Sequence, residues 1–177
     1  MRKILVVIDM QNDFINRARG TPEAVAIVPS VVAKIRQYDP ADVYATRDTH
    51  TEDYLNTQEG KSLPVPHCIR GTAGWELHPE IAGLIPEDHL FDKPSFGSPD
   101  LAHFLARHCS GQEVTIDLIG LCTDICVVSN ALLLKAALPE VPLSVDASCC
   151  AGVTPQTHRA ALTTMKSCQV EITNENG

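Results

Sequence analysis

The chain has 177 residues, a hydrophobic content of 44% and a formal net charge of -8. Its length suits one domain with a substantial core, and no Pro-rich or Ser/Gly-rich run divides it. The negative charge argues against nucleic acid or an anionic membrane surface as a partner, and no apolar run is long enough to span a bilayer. We therefore expect a soluble protein with one domain over residues 1–177.

The cysteines indicate a reducing, cytoplasmic location. The N-terminal apolar run is too short for a secretory signal peptide, and Asp9 ends it. The chain has seven cysteines, an odd number, so we interpret them as thiols rather than as a disulfide framework. The neighbouring Cys149 and Cys150 are expected to pack at the end of a strand.

Strand-like and helix-like segments alternate along the chain. Aliphatic runs typical of strands buried on both faces occupy residues 3–10, 42–46, 114–120 and 142–145, and a shorter one occupies 89–93. Between them, apolar residues recur at helical spacing within residues 28–35 and 101–105. This alternation predicts a parallel sheet with helices on both of its faces.

Local signals place further elements. Ser98 and Thr154 each precede a proline, which predicts a capped helix start at both positions. Residues 124–138 are apolar around most of a helical circumference and predict a central helix packed on several sides. The long polar stretch 49–87 is rich in Pro and Gly, so we expect it to cover the substrate and to carry a metal.

Cys126 falls in the first turn of the helix that follows strand 114–120. The free N–H groups and the dipole of a helix N-terminus favour a thiolate and can hold an oxyanion. These effects predict a nucleophilic cysteine with a lowered pKa. The alternative is a small buried hydrophobe, which is the usual role of a free cysteine.

Asp9 and Lys93 could serve such a nucleophile. Asp9 directly follows the first strand, and Lys93 closes the short strand 89–93. Taken alone, Asp9 would be a turn or cap residue and Lys93 a solvated cation. Beside a thiol they would provide a general base and an electrostatic partner. Because ligands bind beyond the carboxyl ends of parallel strands, we expect Asp9, Asp48 and Cys126 to converge at one edge of the sheet.

A divalent metal ion could bind within the same long stretch. Asp48, His50 and His67 lie close in sequence, with Glu59 between the two histidines. Carboxylate and imidazole ligands suit zinc, manganese or iron. Spacing alone leaves open the alternative that these are ordinary surface residues.

Five segments resemble the isochorismatase-like cysteine hydrolases and, among them, the nicotinamidases. The segments are DMQNDF at 9–14, TRDTH at 46–50, PHC at 66–68, Lys93, and GLCTDICV at 120–127. They run in the order found in the family and span nearly the whole chain. The resemblance implies a three-layer α/β/α fold with a six-stranded parallel sheet.

The resemblance also implies a catalytic apparatus. Asp9, Lys93 and Cys126 match the family's catalytic triad, which forms a thioester with the acyl group of the substrate. A cis peptide between Leu121 and Cys122 is implied, with the backbone N–H groups of Cys122 and Cys126 forming an oxyanion hole.

The resemblance to nicotinamidases further implies a metal and a substrate. Asp48, His50 and His67 match the metal ligands, and Glu59 matches a fourth ligand found in some members; zinc is our first choice, with manganese or iron as alternatives. The expected substrate is a small amide, with nicotinamide the best single candidate. Four residues would line its pocket: Phe14, Leu63, Trp75 and Ile125. Many relatives assemble, so we expect a homo-oligomer.

Departures from the nicotinamidase pattern keep other hypotheses open. Leu63 and the residues after it stand where an aromatic residue often lines the pocket, and Ile125 stands where many nicotinamidases have Tyr or His. The alternatives are another small amide, a carbamoyl or ureido compound, or a vinyl ether as in isochorismatase. A catalytically silent binding protein of the same fold is a further alternative, against which the intact Asp9, Lys93 and Cys126 argue.

Overall fold

The computed structural model describes residues 1–175, which form a six-stranded sheet flanked by helices. The strands are β1 (Arg2–Ile8), β2 (Val43–Asp48), β3 (Leu90–Lys93), β4 (Val114–Leu121), β5 (Leu143–Ala151) and β6 (Glu171–Thr173). All pair in parallel, in the order β3-β2-β1-β4-β5-β6. The predicted parallel three-layer architecture is confirmed.

Within residues 1–175, eight α-helices, three short 3₁₀ turns and one π-helical turn connect the strands. The helices are α1 (Asn12–Ile15), α2 (Pro22–Ala26), α3 (Val28–Ile35), α4 (Gln58–Ser62), α5 (Pro79–Ala82), α6 (Pro99–His108), α7 (Val128–Ala137) and α8 (Pro155–Ser167). The π-helical turn spans Thr123–Val127 and continues directly into α7. As predicted, the side chains of Ser98 and Thr154 cap α6 and α8 by accepting backbone N–H groups. None of the helices in residues 1–175 is long and apolar enough to cross a membrane.

The central strand β1 divides the core into two layers. Ile4, Val6 and Ile8 face a cluster with α6, α7 and α8, whereas Leu5 and Val7 face a cluster with α2, α3 and α5. All five side chains are fully buried. The aliphatic run at the N-terminus therefore forms the centre of both layers, and its carboxyl end is fixed from both sides.

The structure extends the sequence prediction in three places. Strand β5 runs on to Ala151, so the buried Cys149 and Cys150 lie within it and face opposite layers. Strand β6 was not predicted from the residues, because it is a short edge strand without the apolar run of a central one. The stretch 49–87 contains α4 and α5 instead of being a continuous loop.

Candidate active site

Four polar side chains meet where neighbouring strands end. Asp9 follows β1, Asp48 ends β2, Lys93 ends β3, and Cys126 lies in the π-helical turn after β4. Because these strands are neighbours in the sheet, their carboxyl ends bring the four residues together. A cavity of about 800 Å³ opens beside them and is lined in part by Asp48 and Cys126.

Lys93 is the centre of this group. Its Nζ lies 2.7 Å from Asp9 Oδ2, 3.5 Å from Cys126 Sγ and 3.5 Å from Asp48 Oδ1. The side chain is only 1% exposed, so these groups take the place of solvent around the ammonium. Burial lowers the pKa of Lys93, but the charges of Asp9 and Asp48 outweigh it and raise the pKa above its usual value. Lys93 therefore stays protonated.

Asp9 is oriented towards Lys93 by its backbone and by one hydroxyl. Its φ of 47° places it in the left-handed region, where the chain turns sharply after β1. Thr46 Oγ1 donates a hydrogen bond of 2.6 Å to Oδ1. Burial raises the pKa of Asp9, and the charge of Asp48 raises it further, while Lys93 acts in the opposite direction. The net rise makes Asp9 a stronger base than an exposed carboxylate.

Cys126 differs electrostatically from the sequence prediction. Complete burial raises the pKa of its thiol well above the ordinary value, and the charges of Asp9 and Asp48 raise it further against the opposing effect of Lys93. The prediction of a lowered pKa from the helix N-terminus is therefore wrong. The resting residue is a protonated thiol beside a buried carboxylate, so a nucleophile arises only when a base takes its proton.

The backbone around Cys122 has the features implied for an oxyanion hole. The Leu121–Cys122 peptide bond is cis. The Cys122 carbonyl accepts the N–H groups of Ile125 and Val127, whereas its own N–H finds no acceptor within residues 1–175. Just before it, Gly120 has a φ of 120°, and a Cβ there would lie 2.1 Å from the Ile8 carbonyl oxygen. Only glycine allows the backbone of β4 to lie this close to β1.

Asn130 supports the turn that carries Cys126. Its Nδ2 donates to the carbonyl oxygens of Cys126 at 2.8 Å and Phe96 at 3.1 Å, and its Oδ1 accepts the Ser98 N–H at 2.9 Å. The residue is 1% exposed. Asn130 was not predicted from the sequence; the signal available was a lone amide, one helical turn after the thiol, in a largely apolar segment.

Gln11 fixes the end of β2 in a similar way. Its Oε1 accepts the Asp48 N–H, and its Nε2 donates to the carbonyl oxygens of Asp48 and Trp75, each at 2.8 Å. The side chain is fully buried. Gln11 therefore ties the segment after β1 to the segment that carries the candidate metal ligands.

The predicted metal ligands form one cluster. His50 Nε2 lies 3.0 Å from Asp48 Oδ2 and 3.8 Å from Glu59 Oε1, and His67 Nε2 lies 3.5 Å and 3.6 Å from the same two oxygens. Ligands held about 2.1 Å from one ion are themselves about 3.0–3.5 Å apart at octahedral or tetrahedral angles. The four side chains therefore fit a divalent cation.

The chemistry of the ligands also suits a metal. His67 Nδ1 donates to the Val65 carbonyl oxygen at 2.8 Å, which leaves Nε2 as the free ligand atom. Burial raises the pKa of Asp48, but its contacts with His50 and His67 and the charge of Lys93 outweigh it, so the pKa lies below its usual range. Asp48 is therefore ionised, as a metal ligand must be.

Three of the four predicted pocket residues line the cavity. Phe14, Leu63 and Ile125 do so, and Phe14 also packs edge-on against His67. Trp75 does not, which corrects the sequence prediction. It is buried under the site, where its Nε1 donates to Thr49 Oγ1 at 2.8 Å and its ring packs against the guanidinium of Arg47. Arg19 also lines the cavity and was not predicted from the sequence.

Comparison with known proteins identifies the family of this fold. The sequence model of the isochorismatase domain matches residues 3–176. The chain belongs to the isochorismatase family. Its sequence is 28% identical to that of the nicotinamidase/pyrazinamidase of Mycobacterium tuberculosis, in an alignment that covers 96% of this chain and 97% of that protein.

Solved structures agree with this assignment. The pyrazinamidase of Pyrococcus horikoshii, in complex with zinc, superposes with a TM-score of 0.80 at 27% identity, covering 97% of this isochorismatase-family chain and 98% of the other. The nicotinamidase/pyrazinamidase of Bacillus subtilis also gives a TM-score of 0.80 at 27% identity, with 97% and 99% coverage.

Proposed function

We propose that the protein is an amidohydrolase that cleaves the C–N bond of a small amide through a thioester on Cys126. The observation that carries this proposal is the position of Lys93 Nζ, 2.7 Å from Asp9 Oδ2 and 3.5 Å from Cys126 Sγ. A base, a cation and a thiol in contact at the floor of a cavity are the groups that acyl transfer to sulfur needs. Similarity to nicotinamidase/pyrazinamidase proteins supports the reaction class.

Acylation begins with the protonated thiol. Asp9 takes the proton of Cys126 Sγ, and the thiolate attacks the carbonyl carbon of the amide. Lys93 keeps its proton and stabilises the negative charge on whichever neighbour carries it. The oxyanion accepts hydrogen bonds from the backbone N–H groups of Cys122 and Cys126. The C–N bond then breaks, and Asp9 returns its proton to the departing ammonia.

Deacylation repeats these steps with water. Asp9, again a carboxylate, takes a proton from a water molecule that attacks the thioester carbon. The C–S bond breaks, the carboxylic acid product forms, and the proton held by Asp9 returns to Cys126. The enzyme thus ends each cycle with the thiol and the carboxylate with which it began.

Asp48, His50, Glu59 and His67 would hold the divalent cation. A bound cation would supply a fixed positive charge facing the substrate. Zinc is the proposed ion, supported by the zinc complex of the similar pyrazinamidase. The two histidines and two carboxylates would themselves fix the cation at the wall of the cavity beside Phe14.

Nicotinamide is the best single compound for testing the proposal, because the similar proteins are nicotinamidases and pyrazinamidases. We would measure ammonia release from nicotinamide and from a panel of other small amides by zinc-loaded protein. Cys126→Ala should abolish release, whereas Cys168→Ala, which changes an exposed thiol, should leave it unchanged. Release that survives Cys126→Ala would refute the thioester on Cys126. No release from any amide would refute the proposal and favour a silent binding protein.

A further inference from the structure

One cationic side chain lines the cavity without an ion-pair partner in the part of the chain that the structure describes. Arg19 is half-buried in the cavity wall, and it is the only lysine or arginine among the lining residues that the structure describes. The other acidic or basic lining groups are Asp48, His50, Glu59 and His67, and all four belong to the metal cluster. Within residues 1–175, the Arg19 guanidinium forms no ion pair, although the chain carries an excess of acidic residues.

The segment that carries Arg19 is firmly attached to α1. The Arg19 N–H donates to the Asp13 carbonyl oxygen at 2.7 Å, and the Gly20 N–H donates to the Arg17 carbonyl oxygen at 3.0 Å. Gly20 packs so closely that a Cβ there would lie 2.7 Å from the Ile15 carbonyl oxygen. The carboxylate of Asp13 in turn accepts the Cys68 N–H at 2.8 Å. Arg19 therefore extends from a fixed backbone rather than from a free loop.

Arg19 shares its cavity with the candidate catalytic groups. Cys122 and Cys126, whose backbone N–H groups form the candidate oxyanion hole, line the same cavity as Arg19. His50 and His67 of the metal cluster line it as well. A substrate that fills this cavity can therefore contact Arg19 together with these groups.

The cavity has room for a substrate that reaches Arg19. A cavity of about 150 Å³ holds benzene, and this one measures about 800 Å³. Much of its wall is apolar, formed by residues that include Phe14, Leu63, Phe96 and Ile125. A free guanidinium in such a wall is the arrangement that binds a planar carboxylate through two parallel hydrogen bonds. One positive charge balances one carboxylate, whereas a phosphate would bring nearly two negative charges.

We propose that Arg19 binds a carboxylate on the substrate, so that the preferred substrates are small primary amides that carry a second, anionic end. This inference rests on the proposed amidase function and narrows its substrate class. A neutral amide such as nicotinamide would use the same catalytic groups without the contact to Arg19.

The test compares matched substrates. Succinamate and the monoamide of pyridine-3,5-dicarboxylic acid each carry the carboxylate, and the methyl ester of each removes the charge at nearly constant shape. Arg19→Ala should lower kcat/KM about 10- to 100-fold for the two carboxylates, which is the usual loss for a hydrogen-bonded charge. The methyl esters should change less than about threefold. Arg17→Ala alters an exposed arginine of the same segment and should leave all four values unchanged.

A binding measurement separates this inference from the proposed function. In a Cys126→Ala background, calorimetry with the two carboxylate amides should show a Kd about 10- to 100-fold weaker when Arg19→Ala is added. If this difference in Kd is found but the unmodified protein hydrolyses no amide, the carboxylate site is supported and the amidase function is refuted. Equal effects of Arg19→Ala on carboxylates and esters, or no effect on either, would overturn the inference even if amides are hydrolysed.

Discussion

Asn130 Nδ2 donates a hydrogen bond of 2.8 Å to the carbonyl oxygen of Cys126, the residue one helical turn before it. The same amide also binds Phe96 and Ser98, which lie in the segment between β3 and α6. Asn130 thus links the turn that presents the thiol to the chain that follows Lys93. The relative position of thiol and ammonium depends on this side chain.

Asn130→Ala should therefore reduce activity without altering the catalytic groups themselves. We expect kcat to fall at least tenfold, and the free energy of unfolding to fall by about 1–3 kcal/mol because buried hydrogen-bonding groups lose their partner. Urea unfolding and steady-state kinetics would measure both. Ser129→Ala is the matched control, because it removes one hydroxyl bonded to the Ile125 carbonyl on the same helix. Equal kinetic effects of the two substitutions would contradict the role of Asn130.

Lys93→Met should destabilise the protein as well as inactivate it. The substitution keeps the apolar stem but leaves the buried carboxylates of Asp9 and Asp48 without their cation. Removing one partner of a buried ion pair costs about 3–5 kcal/mol. Urea unfolding should show this loss for Lys93→Met, and the double variant with Asp9→Asn should be more stable than the single one. Additive losses would show that the two groups are not coupled.

Substitution of either histidine of the metal cluster should lower metal content. His50→Ala and His67→Ala each remove one of four ligands, so we expect zinc bound per chain after dialysis to fall well below that of the unmodified protein. His103→Ala changes an exposed histidine on α6 and serves as the control. Zinc content would be measured by elemental analysis. Full retention in both cluster variants would refute the assignment of the ligands.

Stability should depend on pH through Asp146, away from the active site. Asp146 accepts hydrogen bonds from Ser148, Asn174 and Lys34. Burial raises the pKa of Asp146, but these hydrogen bonds outweigh it and hold the pKa below 3.8. A carboxyl whose pKa is lower in the folded than in the unfolded protein stabilises the fold at pH values above its unfolded pKa. It loses that contribution as pH falls through its folded pKa.

The corresponding experiment uses Asp146→Asn. At pH 7 the substitution should lower the free energy of unfolding by about 1 kcal/mol, because charge-assisted hydrogen bonds are lost. The difference from the unmodified protein should shrink as pH falls below 3.8. Urea unfolding across this range would measure it. A difference that stays constant with pH would show that the charge of Asp146 contributes nothing.

Strand ends were the most predictable part of the site. Asp9, Asp48 and Lys93 each directly follow or end a strand, and parallel pairing brings such positions to one edge of the sheet. The direction of a side chain within an irregular segment does not follow from the pattern of strands. Trp75 was therefore placed in the pocket wall, although its indole is held under the site by Thr49 and Arg47.

Electrostatics were less predictable than position. The pKa of Cys126 depends on complete burial and on two carboxylates contributed by other strands, whereas the helix N-terminus is a local feature of the sequence. Long-range packing outweighed the local effect. Arg19 was not predicted for a related reason. An arginine in a polar segment is expected to be solvated, and only the three-dimensional fold places this one in the cavity wall.

The close grouping of Asp9, Lys93 and Cys126 has a consequence for the energetics of turnover. In the proposed acylation step the proton moves from sulfur to Asp9, so one negative charge disappears and another appears a few ångströms away, both beside the same ammonium. The total charge of the buried group is conserved, so the step requires no ion to enter or leave a medium of low dielectric constant. Proton relocation inside this enclosure leaves the net charge unchanged, so the transfer itself requires no counter-ion from solvent.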